Sequence, residues 1–175
     1  MNETTSDGKT PPKQDNSQSL NEPFGEGKKV LIVEDDPVTT DLIRKLLTER
    51  RFEVFQAENG KVAWDKIRPE TKPDLIISDF LMPEMNGFEL FKGLRNDDAT
   101  KDIPILFLSA RKNIEDSLIV SGADAFFPKP LETTKFLEEV KRLVLRGPAK
   151  ASEPAEAEKE TTKEPKKEEP KEEKK

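Results

Sequence analysis

Cysteine and histidine are both absent from the 175 residues of this chain. Without cysteine the protein has no disulfide bonds, no thiolate metal site and no cysteine nucleophile. Without histidine it has neither a serine-histidine hydrolytic pair nor a histidine-ligated zinc site. Its chemistry must therefore rest on carboxylates, hydroxyls and lysine.

Long apolar runs are missing as well. No stretch approaches the roughly 18 consecutive apolar residues of a membrane-spanning helix, and the N-terminus lacks the apolar core of a secretory signal. We therefore expect a cytoplasmic protein that does not enter a membrane. The formal net charge of −6 argues against general binding to the phosphate backbone of nucleic acids, so DNA binding would require a partner.

The large apolar side chains are concentrated between about residues 30 and 146, a span long enough to bury a core. Residues 1–27 are polar and charged, with Leu20 and Phe24 as the sizeable apolar groups, and we predict a disordered arm there. Residues 147–175 are rich in Lys, Glu and Pro of nearly balanced charge, which predicts a disordered tail that acts as a spacer or solubilising segment. One folded domain, residues 28–146, lies between them.

Within the domain, short apolar runs alternate with stretches of helical periodicity, which favours five βα units around a parallel sheet. The predicted strands are residues 30–33, 52–57, 75–77, 105–108 and 124–127. Two helical stripes are clear, one formed by Val38, Leu42, Ile43, Leu46 and Leu47 and the other by Phe136, Leu137, Val140, Leu143 and Val144.

Three shorter helices are predicted at residues 62–67, 88–94 and 114–120. Asn59-Gly60 and Asn86-Gly87 supply turn chemistry before the first and second of these. Gly122 is expected to end the third, because glycine tolerates the left-handed conformation common at helix ends.

Polar residues stand where four of the predicted strands end: the run 34–36 (Glu-Asp-Asp), Asp79, Ser109 and Lys129. In an open parallel sheet, ligands bind outside the carboxyl ends of the strands. Clustered carboxylates repel one another unless a cation is present, and oxygen-only ligands favour a hard ion such as Mg²⁺. The pattern predicts a magnesium site that can receive a phosphoryl group.

Each of these residues also has a purely structural explanation. The acidic run 34–36 could cap the next helix, and Asp79 could form a turn before Pro83. Ser109 and Lys129, taken singly, predict no function, because serine commonly bonds nearby backbone and lysine usually lies on the surface. Their joint placement at strand ends is what favours a shared site.

Four motifs in order carry a resemblance to a known family. They are Val-Leu-Ile-Val-Glu-Asp-Asp-Pro at 30–37, Ser-Asp-Phe-Leu-Met-Pro-Glu-Met-Asn-Gly at 78–87, Leu-Ser-Ala at 108–110 and Phe-Phe-Pro-Lys-Pro at 126–130. With them, residues 28–146 resemble the receiver domain of bacterial two-component response regulators. The resemblance implies a doubly wound, flavodoxin-like α/β fold with five helices and a five-stranded parallel sheet of order 2-1-3-4-5. It also implies a single-domain response regulator without an effector domain.

The resemblance assigns roles to the acidic residues. Asp79 matches the phosphoacceptor, which takes a phosphoryl group from a phosphohistidine on a histidine kinase or a histidine phosphotransfer protein. Asp35 matches the direct Mg²⁺ ligand, together with Asp79 and the backbone carbonyl of Leu81, and Glu34 acts on the ion through water. The chain is then a signalling switch, not an enzyme, beyond assisting its own phosphorylation and slow dephosphorylation.

The remaining motif residues match the lysine and the switch of the family. Lys129 pairs with the phosphoryl oxygens, Ser109 supplies the hydroxyl that turns toward them, and Phe126 is the aromatic ring that moves behind it. Ala110 is the small residue that leaves the pocket open, and the peptide before Pro130 is expected to be cis. The effector surface is then the face of the predicted fourth helix, fifth strand and fifth helix.

Leu81 and Arg111 match positions that flank the route of a hydrolytic water in this family. An apolar Leu81 cannot orient water, so we expect a phosphoryl lifetime of minutes or longer. The alternative reading is a receiver-like interaction module that works without phosphorylation. An aspartate-nucleophile phosphohydrolase would need a second Asp two residues after the first, and Val38 occupies that place after Asp36.

Overall fold

The computed structural model describes residues 22–67, 69–110 and 122–146. The strands are β1 (Lys29–Val33), β2 (Glu53–Ala57), β3 (Leu75–Asp79), β4 (Ile105–Ser109) and β5 (Ala125–Pro128). The α-helices in these ranges are α1 (Pro37–Thr48), α2 (Gly60–Lys66), α3 (Gly87–Arg95) and α4 (Thr133–Arg146), with a 3₁₀ helix at Pro69–Thr71. None of these described helices is long and apolar enough to cross a membrane. The helix predicted at 114–120 lies outside the described residues, so α4 corresponds to the fifth predicted helix.

The strands form one parallel sheet of order β2-β1-β3-β4-β5, which confirms the predicted topology. The register pairs Val33 with both Ala57 and Ser78, and Ser109 with Pro128. The carboxyl ends of neighbouring strands therefore lie side by side. This alignment places the residues that follow β1, β3 and β5 along one edge of the sheet.

The sheet separates two apolar cores because successive side chains of a strand point to opposite faces. One core lies under α1 and α4 and receives Val30, Ile32, Leu75, Ile77, Leu106 and Leu108 from the strands. The other lies under α2 and α3 and receives Leu31, Val33, Ile76, Ile105 and Phe107. The near-continuous apolar runs of the sequence are thus strands covered on both faces.

The two predicted helical stripes have different outcomes. All five residues of the α4 stripe are buried, as expected. In α1, Ile43, Leu46 and Leu47 are buried, but Val38 is 75% exposed and Leu42 is 42% exposed. The prediction was wrong for these two residues, because a helix turns by about 100° per residue and both lie well away from the direction of Ile43.

Asparagine side chains cap α2 and α3 at the two Asn-Gly pairs. Asn59 accepts a hydrogen bond from the Val62 amide, and Asn86 accepts one from the Glu89 amide at 2.9 Å. The Glu89 carboxylate in turn accepts the Asn86 amide, which completes a capping box. The predicted turn sequences therefore act as helix starts, which fix where α2 and α3 leave the sheet edge.

The packed part of the chain begins earlier than the predicted domain boundary. Phe24 and Gly25, which fall within the range 1–27 predicted as an arm, contact the domain, and the Gly25 amide donates to the Arg50 carbonyl at 2.9 Å. Part of the range 1–27 therefore packs against the core under α1 and α4. Residues 1–21 and 147–175 lie outside the described part of the chain.

A largely buried ion pair lies at the end of the sheet where β4 and β5 begin. The Asp124 carboxylate, 9% exposed, accepts the Arg95 guanidinium at 2.7 Å and the Ile105 amide at 2.8 Å. Arg95 also donates to the Ile103 carbonyl and lies over the Phe91 ring. The end of α3 is thereby joined to the starts of β4 and β5. Burial raises the pKa of Asp124 although Ile105 and Arg95 stabilise its charge.

We predict that Asp124→Ala destabilises the fold by roughly 2–4 kcal/mol, because it leaves a buried guanidinium and a buried amide without their acceptor. Urea unfolding followed by circular dichroism measures this. Asp98→Ala is the matched control, since Asp98 is 96% exposed in its pair with Lys101. Its loss should change the free energy of unfolding little. Equal effects of the two substitutions would contradict the assignment.

Candidate functional site

Residues from three strands converge at the carboxyl edge of the sheet. Glu34 and Asp35 follow β1, Asp79 ends β3 and Lys129 follows β5. One carboxylate oxygen from each of Glu34, Asp35 and Asp79 lies within 4.8 Å of the other two. The sequence-predicted acidic residues therefore meet in one cluster, although Glu34 and Asp79 are 45 positions apart in the chain.

The Lys129 ammonium lies between two of these carboxylates. Its Nζ donates to the two Glu34 oxygens at 3.0 and 2.8 Å and to Asp79 Oδ2 at 2.6 Å. Burial opposes the lysine charge, yet the hydrogen bonds to Asp79 and Glu34 outweigh it and raise the pKa of Lys129. The ammonium is charged at neutral pH, so it offsets part of the charge of the cluster.

Glu34 has the most perturbed environment in the cluster. Its residue is 4% exposed, and this burial raises its pKa from 4.5 to about 7 although Lys129 stabilises the carboxylate. The neighbouring charge of Asp79 raises the pKa further. One ammonium therefore does not neutralise the site, which favours binding of a further cation.

Asp35 and Asp36 lie in different surroundings, since Asp36 caps a helix and Asp35 belongs to the carboxylate cluster. Asp36 caps α1, with its carboxylate accepting the Thr39 amide at 2.9 Å and the Thr39 hydroxyl at 2.6 Å. These hydrogen bonds lower the pKa of Asp36. Asp35 is exposed and belongs to the carboxylate cluster. An exposed carboxylate beside two more sheltered ones fits Mg²⁺, which binds carboxylate oxygens and keeps several waters.

The loop after β3 is held against the Asp79 side chain. The Leu81 amide donates to Asp79 Oδ1 at 3.1 Å, so this residue also forms the turn that its structural explanation predicted. The Gly87 amide donates to the Phe80 carbonyl, and the Met85 carbonyl accepts the Gly60 amide. Because both ends of the loop are anchored, the Leu81 backbone has a fixed position beside the carboxylates.

The backbone of Gly87 packs closely against the backbone of Asp79. A Cβ atom at this position would lie 2.1 Å from the Asp79 carbonyl oxygen and 2.8 Å from the Ser78 hydroxyl oxygen. That hydroxyl, on a residue with no exposed surface, donates to the Asp79 carbonyl at 2.9 Å. Residue 87 must therefore be glycine, and Asp79 is held from behind by Ser78 and α3.

Ser109 and Phe126 lie on one face of the sheet. Ser109 is two residues beyond Phe107, which pairs with Phe126 across β4 and β5, so the three side chains share a face. Ser109 is 2% exposed, and its carbonyl accepts the Lys129 amide at 2.9 Å. Phe126 is half-buried against the core under α2 and α3. Ser109 thus contacts the Lys129 backbone and has its side chain on the same sheet face as Phe107 and Phe126.

Other sequence expectations have mixed outcomes. The Lys129–Pro130 peptide is cis, as the resemblance implied, and Gly122 has the predicted left-handed conformation with φ of +90°. Arg111 lies outside the described residues. Sequence reasoning missed the support of Asp79 by the Ser78 hydroxyl, because a serine within a strand gives no signal of the backbone carbonyl to which it donates.

The pKa of Glu34 predicts how stability depends on pH. Because its folded-state pKa lies above the ordinary value, the folded protein favours the protonated form of Glu34. The stability that this protonation contributes is fully present below about pH 4.5 and is lost as the pH rises through about 7. Glu34→Gln removes the ionisable group. In Mg²⁺-free buffer at pH 8 we expect the variant to be more stable than the parent by roughly 1–3 kcal/mol, with a smaller difference at pH 5.

Urea unfolding at several pH values measures this difference. The control is Asp65→Asn on the exposed face of α2, which should show no comparable pH-dependent gain. A stability difference for Glu34→Gln that does not change between pH 5 and pH 8 would disprove the electrostatic assignment.

Gly87→Ala should disturb the site through the backbone of Asp79. The new methyl group would displace the Asp79 backbone, so we expect at least about a tenfold loss of Mg²⁺ affinity in calorimetric titration. Lys92→Ala alters an exposed side chain of the same helix without placing an atom against Asp79, and its Mg²⁺ affinity should stay near that of the parent. Unchanged affinity in a folded Gly87→Ala protein would show that the loop tolerates displacement.

Comparisons with known proteins identify the family of this chain. The family model of the response regulator receiver domain matches residues 30–141. The polar-differentiation response regulator DivK of Brucella anthropi is 35% identical over 116 residues, which cover 65% of this chain and 94% of DivK. The DNA-binding dual master transcriptional regulator RpaA of Synechocystis is 35% identical over 120 residues. That match covers 67% of this chain but only 49% of RpaA, so the chain spans about half the length of that relative.

Solved structures show the same relationship. A putative response regulator from Chloroflexus aurantiacus superposes with a TM-score of 0.64 at 30% identity, over 68% of this chain and 98% of that one. The response regulator TrrA from Thermotoga maritima, solved in complex with Mg²⁺-BeF, gives a TM-score of 0.60 at 32% identity, over 66% of this chain and 98% of TrrA. The chain therefore belongs to the response regulator receiver-domain family of two-component systems.

Proposed function

We propose that this protein is a phosphorylation-dependent switch in which Asp79 accepts a phosphoryl group from a phosphohistidine. The donor is a histidine kinase or a histidine phosphotransfer protein in the cytoplasm. The observation that carries the proposal is the meeting of Glu34, Asp35 and Asp79 with Lys129 at the carboxyl edge of the sheet. The absence of histidine from the chain agrees with a donor supplied by a partner.

In the proposed reaction, a carboxylate oxygen of Asp79 attacks phosphorus, an O–P bond forms and the P–N bond to the donor imidazole breaks. The imidazole nitrogen takes the electron pair of that bond. Catalysis then rests on position and charge, because phosphoryl transfer passes through a loose transition state with charge on its peripheral oxygens. Lys129 already donates to Asp79 Oδ2, so it lies close enough to donate to an oxygen of a phosphoryl group on Asp79.

The ligands proposed for Mg²⁺ are Asp35, Asp79 and the Leu81 carbonyl directly, with Glu34 through water. This oxygen-only donor set fits the ion. Mg²⁺, when bound, would supply positive charge for the phosphoryl oxygens. For this role, the backbone of Leu81 is held in place by the hydrogen bond that its amide donates to Asp79. Glu34 is held by the two hydrogen bonds that it accepts from Lys129.

The proposed readout starts at Ser109 and Phe126. The Ser109 hydroxyl would turn toward the phosphoryl group, and the Phe126 ring would move into the space behind it. Since the shared sheet face joins these side chains, the change would reach β5, α4 and the predicted helix 114–120, where we place the effector protein. Phenylalanine offers no phenolic hydrogen bond, so packing alone carries the signal.

Named relatives support this proposal at family level. TrrA was solved with Mg²⁺-BeF. DivK, which this chain matches over 94% of its length, is named as a response regulator. The DNA-binding description belongs to RpaA, half of which is unmatched, and we propose protein–protein contacts and no direct DNA binding for this chain.

The test is phosphorylation by a small donor. Purified protein is incubated with acetyl phosphate, with and without Mg²⁺, and its intact mass is followed for the parent and Asp79→Asn. We expect one phosphoryl adduct that disappears on chelation of Mg²⁺ and in the variant. Asp74→Asn is the matched control, because Asp74 binds Lys28 and the Lys29 amide outside the carboxylate cluster. No adduct on folded parent protein would favour a phosphorylation-independent interaction module.

The same preparation tests the lifetime of the adduct. After removal of acetyl phosphate, the adduct should persist for minutes or longer in Mg²⁺, because the apolar, half-exposed Leu81 side chain cannot orient a water molecule. Leu81→Asn should shorten the lifetime. Decay of the parent adduct within seconds would contradict the role given to Leu81.

A further inference from the structure

Residues 22–28, here called the N-terminal strap, pack on the domain although they precede the 30–141 range of the family model. Phe24 is the anchor of the strap. Its ring meets the Phe52 ring edge to face with centroids 5.4 Å apart, and the Lys141 ammonium lies 5.5 Å from its centroid. Both arrangements are favourable for an aromatic ring. Phe24 therefore contacts two elements that are far apart in sequence.

The strap backbone is fitted to the same place. The Gly25 amide donates to the Arg50 carbonyl and the Lys28 amide donates to the Gly25 carbonyl, each at 2.9 Å. A Cβ atom at Gly25 would lie 2.4 Å from the Phe52 ring. Only glycine lets the backbone pass this close to the ring, so the strap fits its position through shape as well as through Phe24.

These contacts place the strap at the end of the domain opposite the acidic site. Arg50 and Phe52 stand between α1 and the start of β2, whereas the carboxylates follow the ends of the strands. Lys141 belongs to α4, and the strap continues directly into β1 at Lys29. The strap therefore links α4 to β1 and to the turn that leads into β2.

We propose that the N-terminal strap is a conformational restraint on α4, with Phe24 holding this helix to the α1–β2 turn. Releasing Phe24 increases local opening of α4 more than opening of the rest of the domain. This inference goes beyond the proposed function and does not require phosphorylation. If α4 is part of the effector face, the strap sets how readily that face rearranges.

A simpler role for the strap is general stabilisation. Phe24 packs on the core under α1 and α4, so its loss could lower the stability of the whole domain. The two roles differ in where amide exchange increases, because local opening affects one cooperative unit and global unfolding affects all of them. Helix α3, on the opposite face of the sheet, is the internal reference.

The experiment is hydrogen–deuterium exchange by mass spectrometry on the full chain. The variants are Phe24→Ala, which removes the anchor, and Gly25→Ala, which keeps Phe24 but pushes the strap off the Phe52 ring. Glu26→Ala is the matched control, since Glu26 is an exposed residue of the same strap. We expect both disruptive variants to raise exchange in α4 by about five- to tenfold relative to α3, with the control unchanged.

Three results would overturn the proposal: exchange that rises equally in α3 and α4, exchange that rises in the strap alone, or an effect of Phe24→Ala that Gly25→Ala does not reproduce. Mg²⁺ titration of the same proteins separates this test from the phosphorylation proposal. Mg²⁺ affinity should stay unchanged in both strap variants, because the strap and the carboxylate cluster lie at opposite ends of the sheet.

Discussion

The Lys129 ammonium is the contact on which the rest of the site depends. Three carboxylates approach within 4.8 Å of one another, and Lys129 bonds to two of them. Without a positive charge between them, the Glu34 and Asp79 side chains would repel each other at close range in a sheltered place. Lys129 reduces the repulsion between the carboxylates in the folded protein but leaves an excess of negative charge. That excess supports the proposed binding of Mg²⁺ and, through the ion, of a phosphoryl group.

The two ends of the sheet divide stability and function between them. At the end near the strand starts, Asp124 is matched by Arg95, and Phe24 and Phe52 fill the space beside the α1–β2 turn. At the other end, carboxylates outnumber the lysine and burial raises the pKa of Glu34 to about 7. A domain can carry such a costly cluster because apolar burial and satisfied ion pairs elsewhere hold the sheet.

Support for Asp79 comes from the backbone as much as from charge. The Ser78 hydroxyl holds its carbonyl from one side, and Gly87 approaches so closely that no Cβ fits. The Leu81 amide meets the side-chain carboxylate on the other side. The capping box of Asn86 and Glu89 fixes the helix to which Gly87 belongs. A proposed nucleophile is thus positioned by the helix start, the loop and the strand together.

The sequence alone predicted the strand order and the two-faced core, because apolar runs and four ordered motifs are local features of the chain. It also named the acidic residues that meet at the carboxyl edge of the sheet, whose roles stay predictions. It offered both a cap and a metal site for the run 34–36, and only the tertiary structure assigned capping to Asp36 and clustering to Glu34 and Asp35. It could not tell that Val38 and Leu42 face solvent, since periodicity does not reveal the direction of a helix relative to the sheet. Nor could it reveal the strap, because one phenylalanine in a polar segment is ordered only by Phe52 and Lys141, which the fold brings from elsewhere.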